Sequence, residues 1–509
     1  MTYQIILFSS ALMKCETSRM YGADRLASEL RSNGFTVLVV AYSGACNYDR
    51  FKHIISNAVG EETIVVGFST TMWPDRNRKG SYVDYEHYNT EQEFCGFHKQ
   101  HHPWFYESVT YEFSGDQLDK YVDFIKRVSP KIKVVVGGSR VDQYMHEPKI
   151  DNLIIGFAEN SFIEYCQSLA GQRPKRIYNK IINHDTKATI GDFNFNASST
   201  TYIEDDIIFP NQHLYIEFSR GCIFNCSFCS YPHRNQQTKN FTKYKEVIYN
   251  ELMDNYTKWG VTSYSIVDDT FNDYVEKLEV VNEVIQTLPF KPEFWCYARA
   301  DLIYHHPKMA ELMKSIGIKH VYYGLETWHD ATARAINKGG KLENKLTGLQ
   351  ILRDALGPDA IIDCGIVIGL PHDTKESILN SAEWFINGGY KIVNYMSYQT
   401  LSLRPDTTDF VFKSDIEKDF VKYSYRFPNP NKSLYWERND SGDILNMNIA
   451  RSLEVSCNEK IRPYISNIQI DKTKFLGTYN GKSKQGFTSD LYDYLEDHYW
   501  PELYKILRT

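Results

Sequence analysis

The sequence predicts an α/β protein: an N-terminal doubly wound parallel sheet, a partial (β/α)6 barrel, and a small C-terminal region. Three observations predict it. Short β-branched runs alternate with segments of helical spacing. Several early runs end in Gly, Ser or Thr, and six strand-plus-helix units follow between residues 214 and 401. At ~100–200 residues per domain, 509 residues allow two to four domains. The 57 basic against 64 acidic residues give a formal charge of −7, which argues against a general nucleic-acid footprint. No apolar run reaches the ~18 residues of a membrane span. Ten cysteines are few for a disulfide scaffold at this length. The apolar run 5–13 lacks the basic flank of a signal peptide and reads as a first strand, so a cytoplasmic chain with reduced thiols is expected.

The first domain is read at residues 1–170. Strands are predicted at 3–8, 36–40, 63–68, 132–136 and 152–155. A helix over 21–32 carries Leu26 and Leu30 one turn apart and stops near Gly34. The third strand runs into Ser69-Thr70-Thr71, the fourth into Gly137-Gly138, and the fifth into Gly156, with Glu159 just after. Doubly wound sheets bind ligands at these carboxyl ends, and small residues there let a large group approach the backbone; simple strand-to-loop punctuation is the plainer reading of each glycine. An aromatic insertion at 72–113 holds Cys95, His98, His101 and His102. No second Cys or His pair follows at zinc-module spacing, so a lid or packed surface loop is expected there. Residues 171–210 lose periodicity and read as a linker.

The second domain is read at 211–407. Its strands are predicted at 214–218, 264–268, 293–298, 320–326, 361–370 and 392–401. Helical stripes lie between them, such as Ile248, Leu252, Tyr256 and Trp259, ended by Gly260. After the first strand and Ser219-Arg220-Gly221 come Cys222, Cys226 and Cys229, spaced Cys-x3-Cys-x2-Cys. Three thiolates on one loop can grip three irons of a [4Fe–4S] cluster and leave the fourth iron open. Zinc with a distant His and chance core thiols are the other readings. Polar residues recur at strand ends: Asp268, Asp269, Arg299 and Glu326. Each also has a plainer reading as a helix cap or surface ion pair.

The cysteine triplet is the signature of the radical S-adenosylmethionine (SAM) superfamily, which the chain resembles over about residues 1–410. The resemblance implies that Cys222, Cys226 and Cys229 hold a [4Fe–4S] cluster whose open iron is chelated by SAM. It places Phe228 beside the adenine. It assigns the SAM amino group to Asp269 first and Asp268 second, and the carboxylate or a ribose hydroxyl to Arg299. Glu326 contacts the ribose or amino-acid part, with Lys338 of Asn337-Lys338-Gly339 following. Gly369 and Leu370 line the adenine edge. Leu403-Arg404-Pro405-Asp406-Thr407 resembles the segment that closes such barrels, with Asp in place of Gly. The N-terminal pattern resembles the cobalamin-binding domain of one large group in this superfamily. That likeness sets Ser69, Thr70, Thr71, Gly137, Gly138, Gly156 and Glu159 around the corrin tail. The loop 9–20 contains no histidine, so a bound cobalamin lacks that lower ligand, or cobalamin has been lost.

The implied activity is reductive cleavage of SAM to a 5′-deoxyadenosyl radical, with cobalamin-dependent methyl transfer to an unactivated carbon as the leading outcome. The alternatives are a radical rearrangement, cyclisation or oxidation, and a non-catalytic iron–sulfur protein. Methylthiolation is disfavoured because the first domain lacks a second cysteine triplet. The implied partners are a small-molecule or peptide substrate and an electron donor such as flavodoxin or ferredoxin; no membrane or nucleic acid is expected. Residues 408–509 are expected to cover the barrel mouth and contact substrate.

Overall fold

The structure, a computed structural model, describes residues 2–9, 19–43, 46–70, 118–138, 141–174, 176–183, 193–210, 212–231, 233–403, 413–428, 436–440, 445–465 and 495–508. Thr71, the Cys95/His98/His101/His102 group and residues 404–407 lie outside these, as does most of the loop 9–20.

The first sheet has six parallel strands in the order β2-β1-β3-β4-β5-β6. They are β1 (Ile5–Phe8), β2 (Val37–Val40), β3 (Val65–Ser69), β4 (Lys133–Gly137), β5 (Asn152–Ile154) and β6 (Ile181–Asn183). β1 and β2 are continuous apolar runs buried along their whole length, as strands covered on both faces must be. Helices Tyr21–Ser32 and Glu159–Leu169 help form the apolar cluster on one face; Tyr48–Ala58 and Leu118–Val128 serve the other. The Asn47 side chain caps helix Tyr48–Ala58 by accepting the Arg50 N–H at 2.9 Å.

One strand was not expected. β6 lies inside the stretch read as linker, and Leu153 of β5 pairs with Ile181. Three residues are too short to show a period of two. The rest of that stretch is tied down by polar contacts: Arg25 and Ser28 both donate to the Ser199 carbonyl, and Arg31 grips Asp206 with two 2.8 Å bonds.

The second sheet runs β7 (Leu214–Ile216), β8 (Ser263–Ile266), β9 (Glu293–Tyr297), β10 (Ile318–Glu326), β11 (Ile361–Ile368) and β12 (Tyr395–Thr400). All six are parallel neighbours in chain order, and no pairing joins β12 to β7 among the described residues, so the barrel is open. Alternation sorts the faces. Ile362, Cys364, Ile366 and Ile368 of β11 join the main core, while Asp363 and Gly365 occupy the alternate positions.

The described residues after 413 divide between the two sheets. A small antiparallel sheet, β13 (Tyr425–Arg426), β14 (Glu437–Arg438) and β15 (Leu445–Asn446), is followed by helix Met447–Ile465, which packs on β12 and helix Lys375–Ile386. Helix Trp500–Arg508 instead returns to the first sheet. Leu495, Tyr499, Trp500, Leu503 and Leu507 join the cluster around Phe51, and the Ala41 N–H donates to the Tyr499 hydroxyl at 2.9 Å. The amphipathic face of this last helix needed an apolar partner, and that partner is the first domain.

Candidate functional site

The cysteine loop leaves β7 and is anchored below by a buried ionic knot. Asp268 Oδ1 accepts the backbone N–H groups of Phe218 and Ser219 at 2.8 and 3.1 Å, and Oδ2 accepts the Ser219 hydroxyl at 2.6 Å. Lys277, 1% exposed, reaches Asp273 at 2.6 Å, Asp268 at 3.4 Å and the Thr270 carbonyl at 3.0 Å. The Asp268 carboxylate is therefore engaged by the chain itself.

Above this knot the loop is held by its own backbone and by one arginine. Cys222 N–H donates to the His233 carbonyl at 3.0 Å, and Ser227 N–H to the Ile336 carbonyl at 2.8 Å. Arg234 Nη1 donates to the carbonyls of both Cys226 and Cys229 at 2.9 Å, while its other nitrogen pairs with Asp415. These contacts leave the three sulfurs on one loop without a disulfide. Cys222 Sγ lies 3.7 Å from Thr270 Oγ1, Cys226 Sγ lies 3.8 Å from the Asn337 carbonyl, and Cys229 Sγ accepts the Tyr231 N–H at 3.4 Å. Burial pushes the Cys222 thiol up, and the Cys229 thiol up to about 11. Among the described residues no three His, Cys, Asp or Glu side chains converge on a single ion.

Asp269, one residue beyond Asp268, behaves differently. It is solvent-accessible, yet surrounding protein strips enough water to push its carboxyl up to about 7, against a hydrogen bond from Tyr231. Accessible and crowded together describe the wall of a cavity.

Three more predicted residues meet next to the loop. Arg299 forks onto Asp301 at 3.0 and 2.6 Å, donates to the Lys338 carbonyl, and lies 3.8 Å over the Phe224 ring. Lys338 donates to Glu326 at 3.1 Å. Glu326 adopts φ 66°, a conformation that side chains rarely take. Phe228 is half-buried against the main core.

Leu370 is fully buried, and Gly369 has a neighbour the sequence did not reveal. A Cβ on Gly369 would stand 2.3 Å from the Trp436 ring, and the Gly369 carbonyl accepts the Tyr425 hydroxyl at 2.6 Å. The space over this glycine belongs to an indole from the C-terminal region.

At the first sheet, Ser69 and Gly137 are paired strand ends, and Thr70 ties to the Gly137 carbonyl through both N–H, at 2.7 Å, and hydroxyl, at 2.8 Å. Gly138 and Gly156, at the sheet's carboxyl edge, take φ 98° and 89°, a region that favours glycine. Glu159 does not face that edge as a free group. It accepts from Arg220 at 2.6 Å, with Arg25 at 3.8 Å.

Sequence reasoning missed Lys277, Arg234 and Arg220. Arg220 stood beside the first cysteine, but its partner Glu159 is remote in sequence, and no local pattern joins them.

Comparison with known proteins agrees with this geometry. The radical SAM superfamily matches residues 216–385. The chain is 23% identical to the ribosomal protein uS12 methylthiotransferase RimO of Psychrobacter arcticus, over 37% of this chain and 38% of that one. It is 22% identical to the anaerobic magnesium-protoporphyrin IX monomethyl ester cyclase of Rubrivivax gelatinosus, over 56% of this chain and 49% of that one. The matches thus span about half or less of these relatives. Two solved structures share the fold across 99% of the chain. The radical SAM methyltransferase TsrM from Kitasatospora setae, solved with tryptophan and a SAM analogue, gives a TM-score of 0.61 at 13% identity and 98% coverage of that chain. The cobalamin-dependent SAM radical enzyme OxsB gives 0.54 at 12% identity and 72% coverage. With its cysteine loop at the carboxyl end of the first barrel strand, the chain carries a radical SAM domain over residues 216–385.

Proposed function

We propose that this enzyme holds a [4Fe–4S] cluster on Cys222, Cys226 and Cys229, binds SAM at the open iron, and transfers a methyl group to an unactivated carbon of a small molecule with cobalamin as carrier. The observation that carries the reading is the three-thiol loop braced beside an accessible, crowded carboxyl at Asp269. When bound, the cluster and SAM would supply one-electron reductive cleavage to methionine and a 5′-deoxyadenosyl radical, which becomes 5′-deoxyadenosine on taking a hydrogen atom from the substrate.

The chain's own residues bind and orient. Asp269 receives the SAM ammonium; Asp268 serves the loop root instead. Arg299, paired with Asp301, and Lys338, paired with Glu326, line the side that meets the SAM carboxylate and ribose. Phe228 offers a flat apolar face to the adenine. Leu370 backs this region, with Gly369 acting through Trp436. At the first sheet, Gly137, Gly138 and Gly156 offer bare backbone to a corrin tail beside Ser69 and Thr70. Glu159 is withdrawn from that set. The likeness in fold to two cobalamin-associated enzymes supports this placement. The boundaries 1–170, 171–210, 211–407 and 408–509 serve as working domain limits, with the last segment shared between both sheets. An external flavodoxin or ferredoxin delivers the electron.

Anaerobic protein reconstituted with iron, sulfide and hydroxocobalamin, then reduced with SAM, tests the reading. 5′-Deoxyadenosine should form, and S-adenosylhomocysteine should accompany it. Absence of both sinks the proposal; 5′-deoxyadenosine without bound corrinoid favours rearrangement, cyclisation or oxidation.

A further inference from the structure

A buried group of five charged residues lies behind the cysteine loop. Arg299, Asp301, Lys338 and Lys345 are 4%, 7%, 8% and 1% exposed, and the Glu326 side chain is 12% exposed. Arg299 is taken by Asp301, and Lys338 by Glu326. Three cations therefore face two carboxylates. Lys345 is the odd one. It is the most buried of the five, and its ammonium makes no hydrogen bond or ion pair among the described residues. The charges acting on it are those of Lys338, Asp301, Arg299 and Glu326. Burial, joined by repulsion from Lys338, pulls the ammonium down to about 8, so at neutral pH it mostly keeps its proton.

A buried cation without a partner is costly unless an anion answers it. The group reaches the cysteine loop at two points. Arg299 lies 3.8 Å over Phe224, between Cys222 and Cys226. The Asn337 carbonyl, one residue before Lys338, lies 3.8 Å from Cys226 Sγ. A cubane on three thiolates carries net negative charge and becomes more negative on reduction, and nearby charge sets how readily it is reduced.

We infer that Lys345 supplies the surplus positive charge that stabilises the reduced cluster, acting as a positioned countercharge rather than a ligand. The inference rests on the assignment of Cys222, Cys226 and Cys229 as cluster ligands. Arg299 and Lys338 are neutralised within the group, so removing Lys345 removes the surplus.

The test is an EPR-monitored redox titration of reconstituted holoenzyme without SAM, with iron, sulfide and melting temperature measured for each variant. Lys345→Met should retain the cluster and shift its midpoint to more negative potential; Lys345→Arg should restore it. Asp301→Asn, which enlarges the surplus, should shift the midpoint the opposite way. Wild-type potential in Lys345→Met overturns the inference, as does a negative shift in Asp301→Asn should Lys345→Met not fold. A wild-type chain that assembles no four-iron cluster overturns the underlying assignment instead.

Discussion

Glu159, at the carboxyl edge of the first sheet, accepts from Arg220, two residues before Cys222, at 2.6 Å, and both side chains are 4% exposed. The guanidinium also forks onto Glu217 at 2.7 and 3.0 Å and lies 4.2 Å over Phe157 and 4.6 Å over Phe195. The root of the cysteine loop is thus plugged into the edge where a doubly wound sheet presents its ligands. Truncating Glu159 leaves Arg220 with Glu217 as its remaining carboxylate and removes a charge-assisted hydrogen bond. Glu159→Ala should cost about 1.5–3 kcal/mol, read by urea unfolding, with Glu159→Gln milder. Unchanged stability in Glu159→Ala would mean that the two sheets are held by other contacts.

The same pair sets a pH dependence. Burial alone would raise the Glu159 carboxyl, but Arg220 and then Arg25 outweigh it and hold it below the usual glutamate range. A lowered folded-state pKa contributes stability that is fully present above the unfolded value of ~4.3 and is lost as pH falls through the folded one. The advantage of wild type over Glu159→Gln should be constant from pH 6 to 8 and shrink below ~4.3. A gap that stays constant down to pH 3 would refute this assignment.

Lys277 gives a second structural prediction. It binds Asp268 and Asp273 in a site with no water-facing side, and Asp268 in turn holds the Phe218 and Ser219 N–H groups. Lys277→Met should destabilise by about 3–5 kcal/mol through two stranded carboxylates. It should also lower iron retention after desalting, because the loop root loses its lower anchor. Full iron content in a folded Lys277→Met chain would separate the knot from the loop.

Much of this was legible in sequence, and the exceptions share a cause. Strand patterns located β1 to β5 and β7 to β12 within three residues at either end, because the runs are rich in β-branched and aromatic residues and alternate with segments of helical spacing. The cysteine loop stood out because three thiols in eight residues have no ordinary reason to be there. Glu159, Asp268 and Gly369 were assigned to ligands, yet their nearest partners are Arg220, the Ser219 turn and Trp436. Each of those pairings spans about 50 residues or more, where neither periodicity nor spacing carries a signal. Strand β6 escaped for a different reason: three residues do not establish a period.

Gly369 allows the sharpest check of such a long-range contact. Its φ is 104°, and a Cβ there would stand 2.3 Å and 2.5 Å from two atoms of the buried Trp436 ring. The ring cannot retreat freely, since its Nε1 donates to the Leu401 carbonyl at 2.8 Å and Tyr425 meets it edge-on at 5.7 Å. Gly369→Ala should therefore carry both backbone strain and overpacking, roughly 1–3 kcal/mol each. Adding Trp436→Leu should relieve the packing part and leave the strain, so the double variant should melt above Gly369→Ala despite losing a buried indole contact. A double variant less stable than both single variants would show that the ring and the glycine do not compete for one space.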